Sequence, residues 1–400
     1  MCEKKVGLVP RLRFPDYVGQ RLRKALLMDV TAESGDRIGD DLSKMPVMGV
    51  TKVEGIVPME ERLISSDITR YKIVKNNWFA YNPMRLNIGS IARWEGEQNI
   101  LVSPDYVVFK CLKGADLVID PEYLDHFRQS GAWARFVSES GDGSVRVRIY
   151  YRDLARLQLF LPGHAEQQKI ADCLSSLDAL ITAQADKLDT LKTHKQGLMQ
   201  QIFPREGETV PRLRFPEFRE AGDWEETKLG NLCDMRAGKF VPATAIDDNH
   251  KESFYPCYGG NGLRGFTKTH THSGKYPLIG RQGALCGNIT LANGKFHATE
   301  HAVVATPNEG VNVDWLFFEL ALLNLNRFAT GQAQPGLSVE VLNQVECVTP
   351  KKEAEQKKIA DFLSSIDALI AAQADKLDAL KTHKRGLMQQ LFPNPEAVAA

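Results

Sequence analysis

The sequence has no stretch near the roughly 18 consecutive apolar residues that a membrane-spanning helix needs, and no apolar run close to its first residues of the kind that heads a secretory signal. Its seven cysteines (Cys2, Cys111, Cys173, Cys233, Cys257, Cys286 and Cys347) are an odd, scattered set without a CxxC pair, which argues against a disulfide framework and points to the reducing cytoplasm. His297 and His301 stand four apart with Cys257 and Cys286 in the same region, but the paired spacing of a zinc site is missing, so no metal is expected. Net charge is lacking as well: Lys+Arg and Asp+Glu are 50 each, so there is no global basic footprint for nucleic acid. Catalytic signatures are equally scarce. There is no Walker A segment, and Asn82-Pro83-Met84 starts like the Asn-Pro-Pro-aromatic signature of amino-methyltransferases but lacks its second half and reads as a turn. Gly260, Gly262 and Gly265 spell GxGxxG, yet the following FTKTHTHSGKYP cannot open the helix that a dinucleotide phosphate needs. No nucleophile, base and stabiliser combine into a catalytic set, and the chain is expected not to be an enzyme.

What the sequence does have is a repeat. Glu166 to Pro204 and Glu355 to Pro393 are 39-residue copies with only seven substitutions, and VPRLRFPDY (9–17) returns as VPRLRFPEF (210–218). Between these frames lie inserts with almost nothing in common, so the chain reads as two half-molecules with the same frame and different payloads. In the first copy Ile170, Leu174, Leu177, Ile181, Gln184, Leu188, Leu191, Lys195, Leu198 and Ile202 alternate steps of four and three. The second copy repeats this with Ile359, Leu363, Ile366, Ile370, Gln373, Leu377, Leu380, Lys384, Leu387 and Leu391. That is a heptad seam on a helix of about 35 residues, so about 50 Å long. A seam needs a partner, and the other copy in the same chain is the economical one. Packing could be parallel or antiparallel, and a coil between chains is the alternative.

The expected order is a lead-in (1–16), a first payload (17–162), a coiled-coil helix (163–204), a linker (205–217), a second payload (218–350), a second helix (351–393) and a tail (394–400). Each payload mixes strand-like alternation with a few helical stretches, such as 121–136 and 313–328, without the βαβ cadence of a doubly wound sheet. The lead-ins, rich in Pro and Arg, read as linkers.

Charge is uneven along the chain. From Phe254 to His301 five basic residues face one acid, and from Arg70 to Lys113 seven face three, so both payloads carry local basic patches. Arg, Lys, Asn and Gln are the side chains that read base edges. On that chemistry the candidate DNA contacts are Asn82, Arg85, Arg93, Trp94, Arg146 and Arg148 in the first payload. In the second they are Tyr258, Asn261, Arg264, Lys268, Arg281, Gln282 and Asn288 on glycine-rich loops.

Two divergent domains alternating with two near-identical helices resemble the specificity subunit of type I restriction–modification enzymes. The resemblance rests on EQQKIA and EQKKIA after Leu161-Pro162 and Thr349-Pro350, on LSSLDALI and LSSIDALI, and on KxGLMQQ(I/L)F. It rests also on YGGNGLRGF (258–266) with LIGRQGALCGNI (278–289), and on YNPMRLNIGS (81–90) with SPDYVVF (103–109). The resemblance implies an α+β fold: two target-recognition domains separated by an antiparallel intramolecular pair of helices related by an approximate two-fold. It further implies a non-catalytic subunit whose domains each read half of a bipartite double-stranded DNA target. The helices would dock two modification (methyltransferase) subunits and, through them, motor-nuclease restriction subunits. No cofactor would be bound here, S-adenosylmethionine, ATP and Mg belonging to the partners. The alternatives are a recognition subunit of a related phage-exclusion or bifunctional methylation system, and a protein-binding scaffold.

Overall fold

The computed structural model describes residues 10–39, 45–114, 117–140, 148–283, 285–331 and 335–392. It divides into two compact units, Met1–Gln184 with Lys376–Ala400, and Ala185–Asp375. Each unit therefore holds one payload, one end of the first repeated helix and the opposite end of the second.

The repeated segments form the helices His164–Ile202 and Glu353–Leu391, 39 residues each. Ala, Leu, Gln and Lys dominate them, acids stand in their first turns where the helix dipole favours negative charge, and Pro204 follows the first. Every seam position is buried or half-buried, whereas Leu180 and Leu369, off the seam, are 47% and 44% exposed. In the first unit Ile170 and Leu174, near the start of one helix, share a core with Met388 and Leu391 at the end of the other. In the second unit Ile202 and Leu198 share a core with Ile359 and Leu363 in the same opposed sense. The polar seam residue Lys195 grips both oxygens of Asp367 at 2.6 and 2.7 Å, and Lys384 grips those of Asp178 at the same two distances. The offset that carries Asp178 onto Asp367 also carries Lys195 onto Lys384, so each unit contains the same contact with the helices exchanged.

The first payload is built on a four-stranded antiparallel sheet in the order Thr31–Glu33, Val107–Cys111, Phe79–Tyr81, Ile91–Arg93. Phe79 and Phe109 stack at 4.9 Å in its core. The helical stretch expected over 121–136 is two helices, Pro121–Phe127 and Gly131–Glu139, because Ser130 interrupts the run and caps the second by accepting the Trp133 amide. The second payload has a six-stranded sheet ordered Cys233–Ala237, Ala302–Pro307, His272–Gly280, Ile289–Ala298, Tyr255–Gly259, Gly262–Thr267, with one parallel pairing between Tyr255–Gly259 and Ile289–Ala298. Its helix stops at Leu322 rather than running to 328; Asn324 takes a left-handed conformation (φ 47°), and a 3-10 turn, Leu325–Phe328, follows.

Two residues at the head of each long helix fix its payload. Glu166, 1% exposed, takes a fork from Arg13 Nε and Nη2, both at 2.6 Å, and Glu355, also 1% exposed, takes one from Arg214 at 2.7 and 2.8 Å. The remaining Nη1 donates to the carbonyl of Gln20 in one copy and of Gly222 in the other. The lead-ins are thus bound into the cores rather than being linkers: Phe14 packs on the first core, and Phe215 meets Phe362 edge-on at 5.7 Å in the second. The next residue along works on the payload side. Gln167 Oε1 accepts the amide of Asp120, the cap of helix Pro121–Phe127, while its Nε2 donates to the carbonyls of Val118 and Pro162. Gln356 Oε1 accepts the amide of Asn312, the cap of Val313–Leu322, and its Nε2 donates to the Pro350 carbonyl and Thr349 Oγ1.

Candidate nucleic-acid interface

In the second unit the strands Tyr255–Gly259 and Gly262–Thr267 are joined by a turn that Gly262 closes at φ 84°. Beside it runs the loop between His272–Gly280 and Ile289–Ala298, pinched shut by hydrogen bonds from the Gly280 amide to the Asn288 carbonyl (2.8 Å) and from the Gly287 amide to the Gly280 carbonyl (2.7 Å). The two loops touch: a Cβ on Gly280 would lie 1.9 Å from the Gly260 carbonyl oxygen, so only glycine fits there. The GxGxxG segment accordingly continues as strand, not helix.

These loops surround a cavity of about 610 Å³ lined by Gly259 to Arg264, Gln282, Gly283, Leu285 and His301. Of the seven residues expected to contact DNA, Asn261, Arg264 and Gln282 line it. Asn288 joins them by donating from Nδ2 to Asn261 Oδ1 at 3.3 Å, and the backbone of Arg281, next to Gln282, bonds Leu337 and His301, the latter a lining residue. Arg281 Nε is buried without a hydrogen-bond partner. The other two lie elsewhere. Tyr258 turns into a small core, edge-on to Phe296 at 5.7 Å, where burial raises its hydroxyl pKa, and Lys268 sits 6.0 Å over the Phe254 ring. Besides the glycines, three wall residues are not among the expected contacts. In sequence His301 suggests only a zinc ligand, and Leu263 and Leu285, 54% and 56% exposed, are of a residue type that suggests core. Exposed leucines beside Asn, Arg and Gln on glycine-rich turns are the signal that would have found them. His297 is a strut: its Nδ1 lies 3.0 Å from Thr269 Oγ1 and its Nε2 3.0 Å from the Lys239 carbonyl. Among the described residues no group of three or more His, Cys, Asp or Glu could hold a metal.

The first unit presents a different surface. Asn82 Oδ1 accepts the Met84 amide, forming the turn that projects Arg85 outward between exposed Met84 and Ile88. The Ile149 amide donates to the Pro83 carbonyl at 3.0 Å, which brings exposed Arg148 and Tyr150 to the same turn. Arg93 is spent internally: it donates to Asn77 Oδ1 and Glu95 Oε1, both at 2.6 Å, and only 10% of its side chain is exposed. Trp94 donates to the Gln98 carbonyl and packs on a core. Arg146 lies outside the described residues.

Residues 221–382 match the family described as the type I restriction modification DNA specificity domain. The specificity subunit of the type I restriction enzyme EcoprrI from Escherichia coli is 47% identical over 142 residues, 35% of this chain and 35% of that protein. The putative MjaX specificity subunit from Methanocaldococcus jannaschii is 23% identical over 90% of this chain and 88% of its own length. A crystal structure of a type I system S subunit from M. genitalium has the same fold: TM-score 0.64 at 16% identity, over 96% of this chain and 99% of that one. The resemblance to type I specificity subunits is shown by these matches. No helix among the described residues is long and apolar enough to cross a membrane.

Proposed function

We propose that this chain is the non-catalytic DNA-specificity subunit of a cytoplasmic type I restriction–modification system, in which each payload reads one half of a bipartite target. The observation that carries the reading is the contrast between the halves: an equivalent Arg–Glu fork and Gln clasp hold two unlike surfaces, one a glycine-rich cavity with Asn261, Arg264 and Gln282, the other a turn with Arg85 and Arg148. Amide and guanidinium groups on close-packed turns suit the bidentate donor and acceptor patterns of base edges in the major groove. The two long helices act as an antiparallel pair that spaces the half-sites. At about 1.5 Å per residue such a rod spans roughly one and a half turns of duplex, which leaves an unread spacer between them.

The same helices dock two modification subunits. Leu180 and Leu369 support this, being leucines at equivalent repeat positions, off the seam and exposed. Those subunits supply phosphate contacts that a chain of zero net charge lacks, bring S-adenosylmethionine, and recruit the restriction subunits that use ATP and Mg; this chain binds no cofactor.

Mapping methylated adenines in the host genome with and without the gene tests the function. Loss of one bipartite methylated motif is the expected result, and an unchanged methylome in an active system refutes it. A DNA gel shift with the modification subunit, steeply weakened by salt, separates DNA reading from a protein scaffold.

A further inference from the structure

We infer that the second unit holds a binding site for an alkyl cation, a guanidinium or ammonium group, in a cavity floored by Glu319 and remote in sequence from the glycine-rich loops. The cavity is about 1240 Å³ and opens between the end of the helix His164–Ile202, the helix Val313–Leu322 and the strand pair Glu225–Lys228 with Glu346–Thr349. Glu319 lines it and is only 4% exposed. Among the described residues no hydrogen bond or ion pair reaches its carboxyl, an unusual state for a buried acid. Burial alone pushes its pKa up to about 8.

The other half of the molecule indicates that the scaffold does not require an acid here. The Gln clasps equate Asn312 with Asp120, so Trp315 corresponds to Tyr123 and Glu319 to Phe127. Phe127 packs edge-on against Phe392 at 5.6 Å, and Phe392 is the repeat counterpart of Phe203, which lines the cavity. An aromatic fills the place in one unit; a carboxyl stands there in the other.

The walls favour a positive guest. Glu206, Glu208, Glu226 and Glu346 also line the cavity. Arg327 is paired with both oxygens of Glu206 (3.0 and 2.9 Å), and Lys228, bonded at 2.6 Å to the uncharged Gln344 amide, keeps its charge beside Arg205, so with Glu319 the lining acids outnumber the bases five to three. Phe203 and Leu322 supply apolar surface for an alkyl stem. A cation that reaches Glu319 supplies the counter-charge that the site lacks and so favours ionisation of the buried carboxyl.

The test titrates the full chain with N-ethylguanidinium chloride and, separately, with spermidine, against NaCl of equal ionic strength. Tryptophan emission reports binding, since Phe203 meets Trp224 at 5.9 Å and Trp315 at 6.5 Å. Expected is a saturable change with a rise in thermal midpoint, because a ligand of the native state stabilises it. Glu319→Gln should weaken the change at least tenfold, and Glu319→Phe, patterned on Phe127, should abolish it. Saturation by N-ethylguanidinium identifies an arginine side chain of a partner as the source and saturation by spermidine a free polyamine; either supports the site. Absence of saturation with both probes, or variants that respond like the wild type, overturns it. Should the variants fail to fold, the 13C resonance of the Glu319 carboxyl in the wild-type chain decides: it moves with added cation, or the site is refuted.

Discussion

A single buried carboxylate at the head of each long helix carries more of the architecture than its residue type suggests. Glu166 depends on Arg13, whereas Glu355 also accepts from Trp224 Nε1 at 3.3 Å. Removing one partner of a buried pair strands the other, at about 3–5 kcal/mol. Arg13→Ala is therefore expected to cost more than Arg214→Ala in urea unfolding, the latter falling at the low end because the indole remains. Glu319 acts in the opposite sense. Its pKa is raised on folding from the ordinary 4.5 to about 8, so between those values the native state holds a proton that the unfolded chain has released, and stability falls as pH rises. The stability advantage of Glu319→Gln over wild type should accordingly grow from pH 4.5 to 8 and then level off; a difference independent of pH would contradict the burial. At the glycine-rich cavity, Arg264→Ala should cost roughly 1–3 kcal/mol of DNA affinity and relax sequence preference in one half-site only, measured by gel shift on half-site variants with the modification subunit present. Residue types made Arg264 and Gln282 legible as candidates. They could not reveal that Arg93 is held by Asn77 and Glu95, or that Tyr258 faces a core, because those outcomes depend on which neighbours the fold brings.

Among the elements, the long helices were the most legible, since a heptad period is written in consecutive residues and survives without knowledge of the partner. Their relative sense was not. Lys195 and Lys384 could sit opposite either end of the other seam, and the answer lies in Asp367 and Asp178, which flank the seam and look like ordinary surface acids in the sequence. Lys384 is 14% exposed and Asp178 39%, so Lys384→Ala should cost roughly 1 kcal/mol or less. A charge exchange, Lys384→Asp with Asp178→Lys, should recover most of that loss, and a double-mutant cycle by thermal unfolding without coupling would remove the pair from the account. Proline and arginine composition made the lead-ins look like linkers. The misreading has a physical source: an arginine is solvated in most contexts, and here two are drawn inward by carboxylates some 140 to 150 residues away in sequence.

For the whole molecule, the spacing role proposed for the helices gives a prediction that no single residue carries. Deleting one heptad from both copies should shorten or abolish the tolerated spacer while leaving both half-site sequences unchanged, as read from the methylated motif of a strain carrying the variant; an unchanged spacer would end the ruler reading. The two-part plan was legible because repetition needs no structure to be seen, while the sheets of the payloads, made of strands three to ten residues long, were legible only in outline. The Gln clasp has one further consequence. Gln167 and Gln356 take hold mainly of main-chain atoms: the amides of Asp120 and Asn312, and the carbonyls of Val118, Pro162 and Pro350. A socket of this kind is largely blind to side chains, so an insert with a helix start at the right place can be seated in it, and new recognition surfaces can be installed without redesigning the frame that receives them.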